Sequence, residues 1–190
     1  MTIRDQLSNL RVPIIAAPMF LVSSPELVVA CCKAGVVGSF PAPNLRTSAE
    51  LGDWMQTIRN GVAQPAESAW PVAPWAVNLV THSTSPRLAS DLEQVAAHQP
   101  PIVITALGSP KPVIPVVHGY GGLVFADVTS VELARKAADA GVDGLVLVCS
   151  GAGGHTGELS PLVFAERVRQ FFDGYIALAG AINTGEAVLA

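Results

Sequence analysis

The chain is poor in charge. Only 14% of its 190 residues are Asp, Glu, Lys or Arg, and half are apolar. That balance favours a large buried core over disorder. Basic residues are few: 11 Lys and Arg stand against 15 Asp and Glu, a formal net charge of −4, with no basic cluster. This excludes the electrostatic footprint of a nucleic-acid binder and of a protein held on an anionic membrane. Long apolar runs are lacking as well. None reaches the roughly 18 residues that a spanning helix needs. The opening MTIRDQLSNL has neither the basic flank nor the apolar centre of a secretory signal.

Cysteine is nearly absent. Cys31, Cys32 and Cys149 have no metal-ligand spacing, and an odd count fits a reducing cytoplasm. Cys31 and Cys32 read as small core residues on a helix, and Cys149 as packing beside a glycine loop. No dinucleotide fingerprint follows the first strand candidate, which runs instead into Ala16-Ala17-Pro18-Met19-Phe20. A doubly wound nucleotide-binding sheet loses its main support with that absence.

What the chain does have is regular alternation. Strand candidates are Pro13–Pro18, Val36–Phe40, Trp75–Val80, Ile102–Leu107, Gly122–Val128, Gly144–Cys149 and Tyr175–Ala181. Several are unbroken apolar runs, the pattern of parallel strands covered on both faces. Helices fit between them. Ser24-Pro25 and Ser160-Pro161 pair a favoured cap with a favoured first-turn residue. Thr47-Ser48-Ala49-Glu50 and Thr129-Ser130-Val131-Glu132 read as capping boxes, and Gly35 and Gly141 as stops. After Ser130, Val131, Ala134, Ala137, Ala138 and Gly141 form an apolar stripe, while Glu132, Arg135, Lys136 and Asp139 face away. Seven β-α units of about 25 residues match the period of a (β/α)8 barrel. Residues 1–190 read as one domain without linker or repeat. Seven strands do not close an eight-stranded barrel, and Thr184–Ala190 reads as the start of a helix. The expectation is a barrel that lacks its C-terminal part.

Active sites of such barrels lie at the C-terminal ends of the strands. Those ends are Ala17-Pro18-Met19, Pro41 to Asn44, Asn78, Gly108-Ser109, Asp127, Gly151 to His155 and Gly180-Ala181-Ile182. They offer no carboxylate pair, no metal cluster and no nucleophile–base pair. A site made of small residues and backbone suits an aromatic cofactor that carries the chemistry itself. Ala17-Pro18-Met19 can present backbone to a heteroaromatic ring, and the Asn78 amide can hold a ring carbonyl or phosphate. The densest signal is Cys149-Ser150-Gly151-Ala152-Gly153-Gly154-His155-Thr156-Gly157. Four glycines there strip side-chain bulk from a loop that carries one histidine. Gly180-Ala181-Ile182-Asn183-Thr184-Gly185 reads as a phosphate loop before a helix. His82, His98 and His118 read as surface or packing residues, His82 with least support because it follows Asn78 at a strand end.

These motifs together resemble the nitronate monooxygenases, formerly called 2-nitropropane dioxygenases. The matching segments are Pro13 to Met19, Ala76-Val77-Asn78-Leu79, Gly122-Leu123-Val124-Phe125, Ala140 to Gly144, Gly151 to His155 and Ala179-Gly180-Ala181-Ile182, in order along nearly the whole chain. The resemblance implies a single FMN-binding barrel. FMN contacts would come from Ala17, Pro18, Met19, Asn78, Ala152, Gly153, Gly154, Ala179, Gly180 and Ala181, with His155 as the catalytic residue and no metal. The implied reaction passes one electron from an alkyl nitronate to FMN, O2 traps the radicals, and a carbonyl compound and nitrite result. Expected partners are the small-molecule nitronate and O2, with a homo-oligomer left open. Two other functions stay open: an NAD(P)H-dependent flavin reductase of quinones or enoyl thioesters, and a non-catalytic fragment that folds only by association.

Overall fold

The computed structural model describes residues 2–66 and 70–189, so Ala190 of the expected terminal helix lies outside the described residues. The chain divides into two compact units, Met1–Val124 and Phe125–Ala190.

In the first unit, α1 (Ile3–Ser8) starts at a capping box: the Thr2 hydroxyl accepts the Asp5 N–H at 3.1 Å, and the Asp5 carboxylate accepts the Thr2 N–H at 2.7 Å. α2 (Pro25–Lys33) begins at Ser24, whose hydroxyl accepts the Leu27 N–H, and ends before Gly35 at φ +84°. β1 (Gly38–Pro41) runs into a 3-10 turn (Ala42–Asn44) and then α3 (Ser48–Ala63). The Thr47–Glu50 capping box sits where the sequence predicts it. β2 (Trp75–Val80), α4 (Leu88–His98), β3 (Ile102–Ala106) and α5 (Ile114–Gly119) follow. β1 pairs in parallel with β2, and β2 with β3. Successive residues along these strands are buried, as unbroken apolar runs require when both faces are covered. Phe40 is fully buried and meets the Trp54 and Trp75 rings at 5.6 and 6.4 Å.

The expected first strand, Pro13–Pro18, does not form. One isolated parallel bridge joins Ile15 to Val37, through Ala16 N–H to the Val37 carbonyl at 2.8 Å and Val37 N–H to the Ile14 carbonyl at 3.0 Å. Pro18 has no N–H to carry the ladder forward, and on the other side the Ile14 N–H turns back to the Val12 carbonyl at 2.7 Å.

β4 (Leu123–Val128) begins at the end of the first unit and leads into α6 (Val131–Ala140), β5 (Gly144–Val148), α7 (Pro161–Arg169), β6 (Tyr175–Ala179) and α8 (Gly185–Leu189). β4 pairs in parallel with β5, and β5 with β6. The α6 stripe is as expected, with Ala134 and Ala137 buried and the four charged residues exposed. Its cap is not. Ser130, not Thr129, accepts the Leu133 N–H, and Glu132 pairs with Lys136 at 2.7 Å instead of closing a capping box. Moving the cap one residue on puts Glu132 too early in the first turn to reach back. Ser160 caps α7 by position alone, without a side-chain hydrogen bond. Gly141 ends α6 at φ +93°. Among the described residues there are six strands where seven were expected, paired in parallel as described and joined by helices, an α/β fold with the connectivity of a TIM-type (β/α)8 barrel.

Candidate active site

In the second unit the chain leaves β5 at Cys149 and folds back on itself. The Cys149 carbonyl accepts from Ala152 N–H at 3.2 Å, Gly157 N–H at 3.3 Å and the Thr156 hydroxyl at 3.1 Å. Gly151 and Gly154 hold φ of +82° and +72°, the left-handed region that residues with a Cβ avoid. Gly157 serves a different need: a Cβ there would stand 2.0 Å from the Val148 carbonyl oxygen. Three of the four glycines therefore have a steric reason. The result is a tight loop that leaves Gly153, Gly154 and His155 exposed to solvent. Burial pushes the Cys149 thiol up from its ordinary pKa, and Sγ lies 3.1 Å from the Leu147 carbonyl as a donor. A neutral, buried thiol is a packing group, as the sequence suggests.

The exit of β6 lies against this loop. Cys149 N–H donates to the Ala179 carbonyl at 2.7 Å, and Ala181 N–H donates to the Gly151 carbonyl at 2.9 Å. The structure thereby joins Ala152, Gly153, Gly154 and His155 to Ala179, Gly180 and Ala181. Ala181 sits at φ +55°, a conformation that costs a non-glycine residue roughly 1–3 kcal/mol and that clusters at ligand-binding sites. At the start of α8 behind this loop the Thr184 hydroxyl accepts the Ala187 N–H at 3.1 Å. Beside the loop a cavity of about 370 Å³ is lined by Thr129, Ser130, Thr156, Gly157, Glu158 and Leu159.

The first unit carries the other predicted residues. Ala17 and Met19 are exposed and Pro18 half-buried. Their loop is pinned by two residues that the sequence reading did not single out for a structural role. The Ser23 hydroxyl accepts the Met19 N–H at 3.0 Å. Asn44 accepts the Leu21 N–H at 2.8 Å and donates to the Ser23 carbonyl at 2.9 Å. Asn78 is buried near the end of β2, in register with Pro41, and its Nδ2 donates to the Ile104 carbonyl at 3.4 Å. Leu107, directly after β3, and Leu21, in the turn before α2, both at φ +59°, lie in the same unusual region as Ala181. Nothing in their side-chain chemistry announces this. His82 stands in a turn, its Nδ1 2.8 Å from the Thr84 hydroxyl. His98 and His118 fall in the last turns of α4 and α5. Among the described residues, no group of three or more His, Cys, Asp or Glu side chains could hold a metal ion, and no helix is long and apolar enough to cross a membrane.

Comparison with known proteins agrees with this frame. The family model described as Nitronate monooxygenase matches residues 2–190. A nitronate monooxygenase of Paraburkholderia phytofirmans is 31% identical over 186 residues, covering 84% of this chain and 51% of its own length. The chain spans about half the length, or less, of the curated relatives it matches. Among solved structures, FabK from Thermotoga maritima is similar over 97% of this chain and 55% of its own, with a TM-score of 0.79 at 24% identity. Nitroalkane oxidase from Streptomyces ansochromogenes is similar over 90% of this chain and 59% of its own, with a TM-score of 0.76 at 22% identity. Those two likenesses concern the fold. The family match runs the length of a parallel β-α frame with small-residue exit loops, and the chain belongs to the nitronate monooxygenase family.

Proposed function

We propose that this protein binds FMN and oxidises alkyl nitronates with O2 to a carbonyl compound and nitrite. The observation that carries the reading is the backbone bond from Ala181 to Gly151, which ties the loop bearing His155 to the loop read as the phosphate site. The residues suit a flat anionic cofactor. A Cβ at Gly153 or Gly154 would meet no atom within 4 Å, so the space in front of that backbone is open. Ala179, Gly180 and Ala181 are the proposed phosphate contacts, and Ala152, Gly153 and Gly154 the proposed main-chain contacts of the ring. Within the first unit, Ala17, Pro18, Met19 and Asn78 are proposed flavin contacts on the family resemblance. A bound flavin supplies electron transfer between the nitronate and O2.

The chain's own part is positioning and charge. A nitronate is already an anion, so no strong base is required. His155, exposed in a loop held at both ends, can donate a hydrogen bond to the nitro oxygens or stand as a cation beside them. The test is the visible spectrum of the purified protein with and without added FMN, followed by nitrite release from an alkyl nitronate. Uptake of FMN and nitrite production are expected. A protein that stays colourless in excess FMN refutes the reading. Rapid bleaching of bound flavin by NADH alone would assign the protein to the NAD(P)H-dependent reductases instead.

A further inference from the structure

Arg87 stands where its charge gains nothing from its own helix. It occupies the cap position before α4 and makes no side-chain bond to the helix start. Side chains with an accepting oxygen are favoured there, and a cation at that end opposes the helix dipole. Its pairing with Asp91, four residues on at 3.0 Å, runs in the weaker direction, cation first. What the guanidinium does reach is another stretch of chain. Nη1 donates to the Leu45 carbonyl, and Nη2 to Asp91 Oδ1. Asp91 is buried, and the same oxygen accepts the Ser48 hydroxyl at 2.6 Å. One ion pair thus grips Leu45 and Ser48, on the two sides of the short link between the 3-10 turn and α3.

The turn steadied in this way ends in Asn44, next to Leu45. The Asn44 amide accepts the Leu21 N–H and donates to the Ser23 carbonyl. The Ser23 hydroxyl accepts the Met19 N–H and donates to the Ala17 carbonyl at 3.5 Å. Contacts therefore run without a gap from α4 through Leu45, Asn44 and Ser23 to Ala17 and Met19. On that path Leu21 holds φ +59°, a conformation that persists only where its surroundings fix it. We propose that Arg87, held by Asp91, is a positioning residue: by fixing the Leu45 carbonyl it sets Asn44 and, through it, the Ala17–Met19 loop that presents main chain to the flavin. Only the last step, contact between loop and flavin, rests on the proposed function; the linkage itself is tested without cofactor.

Hydrogen–deuterium exchange of the cofactor-free protein reads the loop directly. Asn44→Ala removes the last link. Arg87→Met combined with Asp91→Asn removes the first and leaves no buried charge unpaired. Each should speed exchange in the peptide spanning residues 19–23 by roughly tenfold, with the β2 peptide unchanged. All three substitutions together should give no faster exchange than Asn44→Ala alone, because links in one chain do not add. Protection of 19–23 that survives in the folded Arg87→Met, Asp91→Asn protein overturns the proposal. So does a loss that appears only together with β2, or one that multiplies in the combined variant. If the paired variant fails to fold, Arg87→Lys takes its place with the same expectations, since it keeps the charge but cannot fork to two acceptors. FMN titration then reads the consequence: Kd should rise about tenfold once the loop is no longer held in its binding conformation. Unchanged affinity with a loosened loop overturns the positioning role. A parent protein that takes up no FMN refutes the flavin reading and leaves the exchange result standing.

Discussion

His155 is the residue on which the proposed chemistry turns. It is exposed, and its loop is anchored by bonds among its neighbours, so the imidazole can be removed without undoing the fold. His155→Ala is expected to retain FMN uptake while turnover on an alkyl nitronate falls by roughly 10²-fold, as for loss of a positioned polar catalytic group. Equal turnover in the two proteins would remove His155 from the mechanism. Cys32 makes a different prediction. It is fully buried on α2, and burial pushes its thiol from 9.0 up to about 12. A group whose folded pKa is raised adds stability below the unfolded pKa, and that contribution drains away as the unfolded thiol ionises. The denaturation midpoint should therefore fall as pH climbs from about 9 toward 12. Cys32→Ala should flatten that decline, read as urea midpoints across the alkaline range. An identical alkaline slope in the two proteins would clear Cys32 of any part in it.

At the scale of elements, the capping chemistry separates bonds that form from bonds that only the sequence suggests. Thr47 and Glu50 close a complete box at the start of α3, so Thr47→Ala should lower stability by about 1 kcal/mol, recovered by Thr47→Ser. Ser160 precedes α7 without a side-chain bond, and Ser160→Ala should stay within about 0.5 kcal/mol of the parent. A comparable loss in both variants would show that the distinction does not govern helix starts here. The same comparison explains what was legible. Thr47-Ser48-Ala49-Glu50 could be read directly because cap and return partner lie three residues apart on a local segment. Thr129-Ser130-Val131-Glu132 offered two adjacent cap candidates, and only the path of the chain out of β4 chose Ser130. Pro13–Pro18 misled in the opposite direction: its apolar content is that of a strand, but the ladder stops at Ile15, because Pro18 lacks an N–H and the Ile14 N–H is taken by the Val12 carbonyl.

For the whole molecule, cofactor binding should register as stability. A ligand that binds only the folded state at 100 times its Kd adds about 2.7 kcal/mol. For a chain of this size that corresponds to a rise in Tm of about 5–10 °C. Thermal melts with FMN should show the shift and melts with riboflavin, which lacks the phosphate, a smaller one. Equal shifts would remove the phosphate loop at Ala179–Ala181 from binding, and the absence of any shift would count against the cofactor assignment itself. Binding couples to folding because most of the proposed contacts are backbone groups that are brought into place only when the strands are in register.

The sequence alone determined the class of this protein. Unbroken apolar runs demanded strands covered on both faces, and capped amphipathic stretches between them demanded crossover helices, so a parallel α/β frame followed from local pattern. It also marked Gly151 to His155, because glycines beside a histidine are visible as letters. Tertiary structure decided what letters cannot carry. It gave the left-handed backbone of Leu21, Leu107 and Ala181, whose side chains advertise nothing. It recruited Ser23 and Asn44 to pin the Ala17–Met19 loop, and it joined Gly151 to Ala181 across thirty residues of chain. Each of these depends on where distant backbone groups meet, and that is set by strand register and loop closure, which no local pattern records.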